Sequence, residues 1–170
     1  MRIPAWRLAP LPLVLFAALP AWAQNAATGV APPAAAAAAA VTEAKVDTGA
    51  YTSALHCADV HLVQPQPGAA PLLRARLLDP GHPGGFDGQP LVFADFQLRD
   101  IRSSNGEVQE RYVIRAVVRL YGEDLETEFS LADRSEMKYP VLLGRSLLRQ
   151  GRFVVDVARR NLSRKLQGKK

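Results

Sequence analysis

The sequence contains a single cysteine, Cys57, so no internal disulfide can form and the fold must rest on its apolar core. Cys57 lies in an apolar stretch that begins at Ala54 and is expected to be buried rather than paired with another chain. Histidine is also scarce: His56, His61 and His82 are the only three, and no His-Glu-x-x-His pair exists to hold a hydrolytic zinc. His56, Cys57 and His61 make a poor ligand set. On a strand His56 and Cys57 point to opposite faces, so no metal and no cofactor is expected. A Gly-rich loop ending in Lys-Ser/Thr is absent as well, which removes the usual cradle for nucleotide phosphates. Beyond the first twenty residues no segment is apolar for long enough to be a transmembrane helix.

The ends of the 170-residue chain are compositionally distinct. Residues 1–23 read as a signal peptide: Arg2 and Arg7 give the positive start, Leu11 to Leu19 is apolar apart from Pro12, and Ala21-Trp22-Ala23 is a small-x-small cleavage site. An uncleaved anchor is the alternative, but the run is short and interrupted by proline. The implied location is periplasmic or secreted, with the mature chain starting at Gln24 and no integral membrane segment left in it. Residues 24–41 contain Pro32-Pro33 and seven consecutive alanines, Ala34 to Ala40, and read as a linker. The globular domain is expected over 42–158 and a basic tail over 159–170. The tail holds six basic residues and no acid, whereas Gln24 to Ala158 has thirteen basic against sixteen acidic residues, a balance of −3. A basic tail can touch anionic lipid or nucleic acid. A solvated terminus is the simpler reading, and no nucleic-acid partner is expected of an exported protein.

Within the domain the pattern is that of short strands punctuated by glycine and proline. Extended segments are expected at Glu43 to Val46, Thr52 to Val63, Leu72 to Leu78, Leu91 to Leu98, Glu107 to Leu120, Leu125 to Leu131, Pro140 to Leu143 and Phe153 to Val157, with one short helix at Ser146 to Gln150 closed by Gly151. Gln64 to Ala70 and Asp79 to Gly88 are loops, and Tyr121 to Asp124 is a turn. Asn105-Gly106, between two strand-like runs, is the strongest hairpin signal, because both residues tolerate positive φ. Many short strands with a single helix describe an all-β fold, a small barrel.

One tripeptide carries candidate chemistry. A strand of small and apolar residues runs into Asp47-Thr48-Gly49. Cleaving an amide with water needs a base to take a proton from the water and an acid to protonate the carbonyl, and two facing carboxyl groups sharing one proton do both. One copy of the motif supplies one carboxylate, so a two-fold dimer would supply the second. Gly49 allows a tight turn under the acid, and the Thr48 hydroxyl can stiffen the loop. Alone, the tripeptide reads first as an ordinary turn at a strand end.

About ninety residues downstream comes Pro140-Val141-Leu142-Leu143-Gly144-Arg145-Ser146-Leu147-Leu148, followed by Phe153-Val154-Val155-Asp156. Together with Lys45-Val46-Asp47-Thr48-Gly49-Ala50 this resembles the retropepsins, the dimeric aspartic proteases of retroviruses. Thr52-Ser53-Ala54-Leu55-His56, the segment Arg102-Ser103-Ser104-Asn105-Gly106, Glu110 to Ile114 and Asp133 to Pro140 add a closer likeness to the bacterial retropepsin-like aspartic endopeptidases labelled putative ATP-dependent zinc proteases. The resemblance covers Glu43 to Asp156. It implies a small closed retropepsin-like barrel, a homodimer, and a peptide or protein substrate. It also implies Asp47, Thr48 and Gly49 as the catalytic loop and Ser103, Ser104, Asn105 and Gly106 as a flap. Ala50, Thr52, Ser53, Gly144 and Arg145 would support the loop, Arg145 through an ion pair. Asp133 and Arg134 are expected to form a local charge pair.

The sequence departs from this pattern in two ways. A retropepsin has a strand before the one entering Asp-Thr-Gly, but here only Val41 to Val46 separates the alanine tract from Asp47. That strand is expected to be missing or replaced by the alanine-rich segment. Gln64 to Gly88 is long and has the character of an insertion. A catalytically silent peptide-binding module on the same fold, or an envelope protein using its basic tail, are the alternatives to an endopeptidase.

Overall fold

Two residues with left-handed backbones organise the longest hairpin. Tyr121 (φ 54°) and Gly122 (φ 86°) join strand β7 (Val108–Leu120) to strand β8 (Glu123–Ala132). A two-residue turn with both φ values positive matches the natural twist of paired strands. The hairpin stays in register from Leu120 opposite Glu123 to Val113 opposite Ser130. Its inner face carries Ile114, Ala116, Val118 and Leu120 from β7 and Leu125, Phe129 and Leu131 from β8, all buried. The computed structural model describes residues 11–17, 38–78, 90–102 and 106–159.

The other elements assemble around this hairpin. Strands β1 (Leu11–Ala17), β2 (Ala38–Val46), β3 (Ser53–Val63), β4 (Leu72–Leu77), β5 (Leu91–Phe93), β6 (Phe96–Arg102) and β9 (Val141–Leu143), with helix α1 (Arg145–Gln150), complete the set. The path through the sheet is β5-β4-β3-β8-β7-β1-β2-β9; β6 pairs with β7, and β9 also pairs with β3. The first half of β3 is flanked on both edges, parallel to β8 at Ser53–His56 and antiparallel to β9 at Ala54 and Leu55. Residues 53–57 are accordingly all buried, without the alternation of a half-exposed strand. Beyond a bulge between Ala58 and His61, where Asp59 takes φ 53°, β3 continues against β4.

The architecture is all-β with one short helix, as the pattern of short strands implies. Several boundaries differ. β2 starts at Ala38, inside the alanine-rich stretch read as a linker. The strand expected to be missing is present: Leu11–Ala17, within the segment read as a signal peptide, pairs antiparallel with Ala38–Ala44 of β2 and with Val117–Arg119 of β7. Leu91 to Leu98 is not one strand, because the chain bends at Ala94-Asp95 so that β5 joins β4 and β6 joins β7. Phe153 to Val157 forms no strand. No described strand lies beside it to complete a ladder; the Phe153 amide donates to Leu148 O at 2.8 Å, while Val154 and Val157 are exposed. Asp79 to Gly88 lies outside the described residues.

The core is continuous, with Leu55, Leu73, Ile114, Phe129, Leu143 and Leu147 at its centre. Helix α1 is held by Leu147 and Leu148, both buried. Leu147→Ala leaves a cavity that the flanking sheet cannot close, and should cost about 2–5 kcal/mol. Val154→Ala on the exposed segment should change stability by no more than about 0.5 kcal/mol. Urea unfolding of the two variants beside the parent chain checks the contrast.

Candidate functional site

Asp47 stands at the exit of β2, where the parallel pairing with β9 ends. Its amide donates to Leu143 O at 2.9 Å, one step past the last pair, Val46 with Leu143. The chain then loops through 48–52 before entering β3. Three contacts tie this loop to the junction between β9 and α1. Arg145 N donates to Ala50 O at 2.9 Å, Ser146 N donates to Tyr51 O at 3.0 Å, and Gly144 N donates to Ser53 Oγ at 3.0 Å. The first amides of a helix have no partner within it, and here the loop carbonyls are those partners. Ser53 is itself anchored, its carbonyl accepting from Ser130 Oγ at 3.2 Å.

Glycine is required at 144 by this approach. A Cβ there would sit 2.7 Å from Thr52 C, Thr52 O and Tyr51 O, all backbone atoms. At Gly49 the fit is tight but less strict, since a Cβ on it would lie 3.2 Å from the side-chain oxygen Asp47 Oδ1.

The carboxylate is held at both oxygens. Oδ1 accepts from the amides of Gly49 (2.9 Å) and Ala50 (3.1 Å), and Oδ2 accepts from Lys45 Nζ (3.1 Å). Burial pushes the Asp47 carboxyl up, but the Lys45 ammonium and the two amides together outweigh it and hold the group below the ordinary aspartate range. A second cation is near. The half-buried Arg134 guanidinium loses proton affinity through burial and the neighbouring Arg111, and regains some through the charge on Asp47.

The residues named from the sequence divide into those the structure brings to Asp47 and those it does not. Gly49, Ala50, Thr52, Ser53 and Gly144 all pack in the loop and its clamp. Thr48 is exposed in the bend, and its hydroxyl makes no hydrogen bond seen among the described residues. Arg145 reaches the loop through its backbone amide; its side chain is exposed and, among the described residues, in no ion pair. Asp133 and Arg134 do not pair with each other. Asp133 Oδ1 accepts from Ser135 N at 2.9 Å, and Arg134 directs Nε and Nη2 to Tyr139 O at 3.2 Å. Gly106 turns the β6–β7 hairpin with φ 91°, while Ser103, Ser104 and Asn105 lie outside the described residues.

Two residues were not singled out for the parts they take here. His56 is fully buried, and its Nδ1 accepts from Arg134 N at 2.8 Å, with Asp133 Oδ1 at 3.7 Å. It fastens the loop after β8 to β3, and the nitrogen so engaged is not open to a metal. Lys45 precedes the acid by two positions, which on a strand is the same face; that spacing was legible. Cys57 is buried, and its thiol is pushed up to about 12, first by burial and then by Asp133, so it is no nucleophile. A groove of about 490 Å³ runs between β3, β7 and the end of β8, lined by His56, Asp59, Arg111 and Asp133 but not by Asp47.

Because Gly144 meets backbone and not a flexible side chain, Gly144→Ala must displace the Asp47 loop. It should lower stability by about 1–3 kcal/mol and broaden the amide signals of Gly49 and Ala50. Urea unfolding and amide NMR of the variant test both effects.

Residues 92–166 match the RimB-like family model, described as retropepsin-like aspartic endopeptidase RimB. That segment begins downstream of Asp47 and takes in the β6–β7 hairpin and the Gly144-Arg145 helix. A probable alpha-L-glutamate ligase of Shewanella halifaxensis (strain HAW-EB4) is 33% identical over 109 residues, 62% of this chain and 22% of the ligase. A probable alpha-L-glutamate ligase of Parasynechococcus marenigrum (strain WH8102) is 32% identical over 117 residues, 67% of this chain and 24% of the ligase. The chain thus spans about a quarter or less of the curated relatives it matches. The crystal structure of protein Lpg0085 from Legionella pneumophila subsp. pneumophila str. Philadelphia 1, of unknown function, superposes with a TM-score of 0.54, covering 95% of this chain and 99% of that one. At 19% identity this likeness concerns the fold. The family match thus likens residues 92–166, somewhat under half of the chain, to the RimB-like, retropepsin-like aspartic endopeptidase family.

Proposed function

We propose that this protein is an exported aspartic endopeptidase that hydrolyses peptide bonds as a homodimer, with Asp47 of each copy forming the catalytic pair. The observation that carries the reading is the Asp47 carboxylate, fixed by the Gly49 and Ala50 amides on a loop clamped to the head of α1. In the pair, one carboxylate takes a proton from water while the other, protonated, donates to the scissile carbonyl. Two carboxyl groups in contact share a single proton, which makes these complementary roles available together. The exposed Val154 and Val157, on a segment that forms no strand within the described chain, support the two-copy reading as apolar side chains open to a second copy. The return of β9 to β3 supports a retropepsin-like barrel. The leader-like composition of residues 1–23 supports export; cleavage after Ala23 would remove β1 and leave β2 and β7 without the strand they share.

An acidic peptide is the substrate class that fits best. Lys45 and Arg134 surround Asp47 with positive charge. The relatives are named as probable alpha-L-glutamate ligases, so a glutamate-containing peptide suits both observations. The ligase activity itself belongs to proteins of which this chain spans 22–24%, and it is not part of the proposal. A silent peptide-binding module is the second reading, favoured by the Lys45 ammonium already seated on Asp47.

The test is hydrolysis of glutamate-rich and mixed peptide libraries by the parent chain and by Asp47→Asn. The variant should lose about 10²–10⁴-fold or more in rate while unfolding in urea near the parent midpoint. Turnover that survives the substitution would sink the endopeptidase reading. A strict monomer at every concentration in sedimentation, without turnover, would leave the binding module.

A further inference from the structure

The outer face of β2 carries an alternating row of charge. Glu43, Lys45 and Asp47 are partly exposed at successive outward positions, while Thr42, Ala44 and Val46 point inward and are buried. Lys45 is therefore directed at Asp47 by the strand itself. Asp47 Oδ1 is already occupied by two backbone amides, which fix the plane of the carboxylate, so Oδ2 is the oxygen left for chemistry, and Lys45 Nζ sits on it at 3.1 Å. The other charged groups placed around the loop are Arg134, from the segment after β8, and Arg145, at the head of α1. Glu43 is the acid next along the same face of β2.

We propose that Lys45 is a positioning residue of the Asp47 site: its ammonium holds Oδ2 and governs when that oxygen accepts a proton or meets a second carboxylate. This rests on Asp47 being the catalytic acid and adds a control on it. A bare pair of carboxylates in contact must take up one proton to coexist. With a lysine on each, two ionised carboxylates can approach, and the single proton that amide hydrolysis requires is taken up only at lower pH. Lys45 thereby displaces the working range toward acid. It makes protonation of the pair a condition set by the medium and not by assembly alone. The net lowering of the Asp47 carboxyl, in which Lys45 is the largest favourable contribution, agrees with this direction.

The experiment uses the full chain with ¹³C-labelled aspartate. The Asp47 carboxyl is titrated by NMR in the parent, Lys45→Met, Lys45→Gln and Lys45→Arg, and the pH dependence of peptide hydrolysis is recorded beside it. Lys45 is partly exposed, so the neutral variants are expected to fold, and the two of different polarity guard against a local packing effect. In both, Asp47 should titrate at higher pH than in the parent, and the hydrolysis profile should shift in the same direction. Lys45→Arg should restore the parent behaviour. Coincident Asp47 titrations in the parent and both neutral variants would overturn the proposal, whatever the activity. Titrations that move in a chain that cleaves no peptide would uphold the hold of Lys45 on the carboxylate and remove the endopeptidase reading instead.

Discussion

The geometry of the site depends on the meeting of two backbones, the loop after Asp47 and the turn at Gly144. Helix α1 is six residues long and has no side-chain cap. Its leading amides would be stranded if nothing met them, and a buried amide without a partner costs on the order of 1–3 kcal/mol. The carbonyls of Ala50 and Tyr51 meet that need, and Ser53 Oγ receives the Gly144 amide. The contact is close enough to exclude any Cβ at 144. Thus the same hydrogen bonds that begin the helix fix the loop that presents Asp47. The helix is anchored in turn by Leu147 and Leu148, so the acid is coupled to the core through one short element.

The sheet delivers the strands to this point. β9 is only three residues long, yet it pairs with β2 on one edge and with β3 on the other. The strand that enters the Asp47 loop and the strand that leaves it are therefore held by the same third strand. On its opposite edge β3 lies parallel to β8, whose inner residues fill the middle of the core. A short strand bonded on both edges has little freedom to slip in register, and this is how a solvent-facing loop receives a defined geometry.

Local chemistry made much of this legible in the sequence. The alternation in β8 and the left-handed turn signals at Gly106 and Gly122 are rules of short range, and the structure follows them. Gly144 and Ser53 were named as loop support through the resemblance to retropepsins and not from any local rule. What was not legible depends on partners far along the chain. Nothing local says that Leu91 to Leu98 must divide between two neighbours, or that Phe153 to Val157 lacks one. Arg145 drew attention for its charge, whereas the structure uses its amide. His56 read as a solvated or hydrogen-bonded ring and not as a metal ligand; its imidazole is a buried acceptor for the Arg134 amide, a bond across 78 positions whose partner sequence proximity does not signal. The apolar run from Leu11 carries the composition of a leader and the backbone pairing of a strand at once, because a short apolar run satisfies both.

The electrostatics of Asp47 bear on which chemistry the proposed site can perform. A carboxylate that accepts two amides and an ammonium is well stabilised as an anion and poorly disposed to carry a proton. As a lone group it can orient water, but it lacks the acid that must protonate the carbonyl or the departing amine. On the proposed reading that acid is a second Asp47, and the cationic surroundings decide how readily the pair accepts its proton. Lys45 and Arg134 also favour an anionic ligand over a neutral one, so the charge that restrains the carboxylates is the charge that would hold an acidic peptide near them. An anionic substrate, once bound, offsets those cations and raises the proton affinity of the pair. Binding and the protonation step are then linked through a common field, and the ligand that fits the site is also the ligand that prepares it.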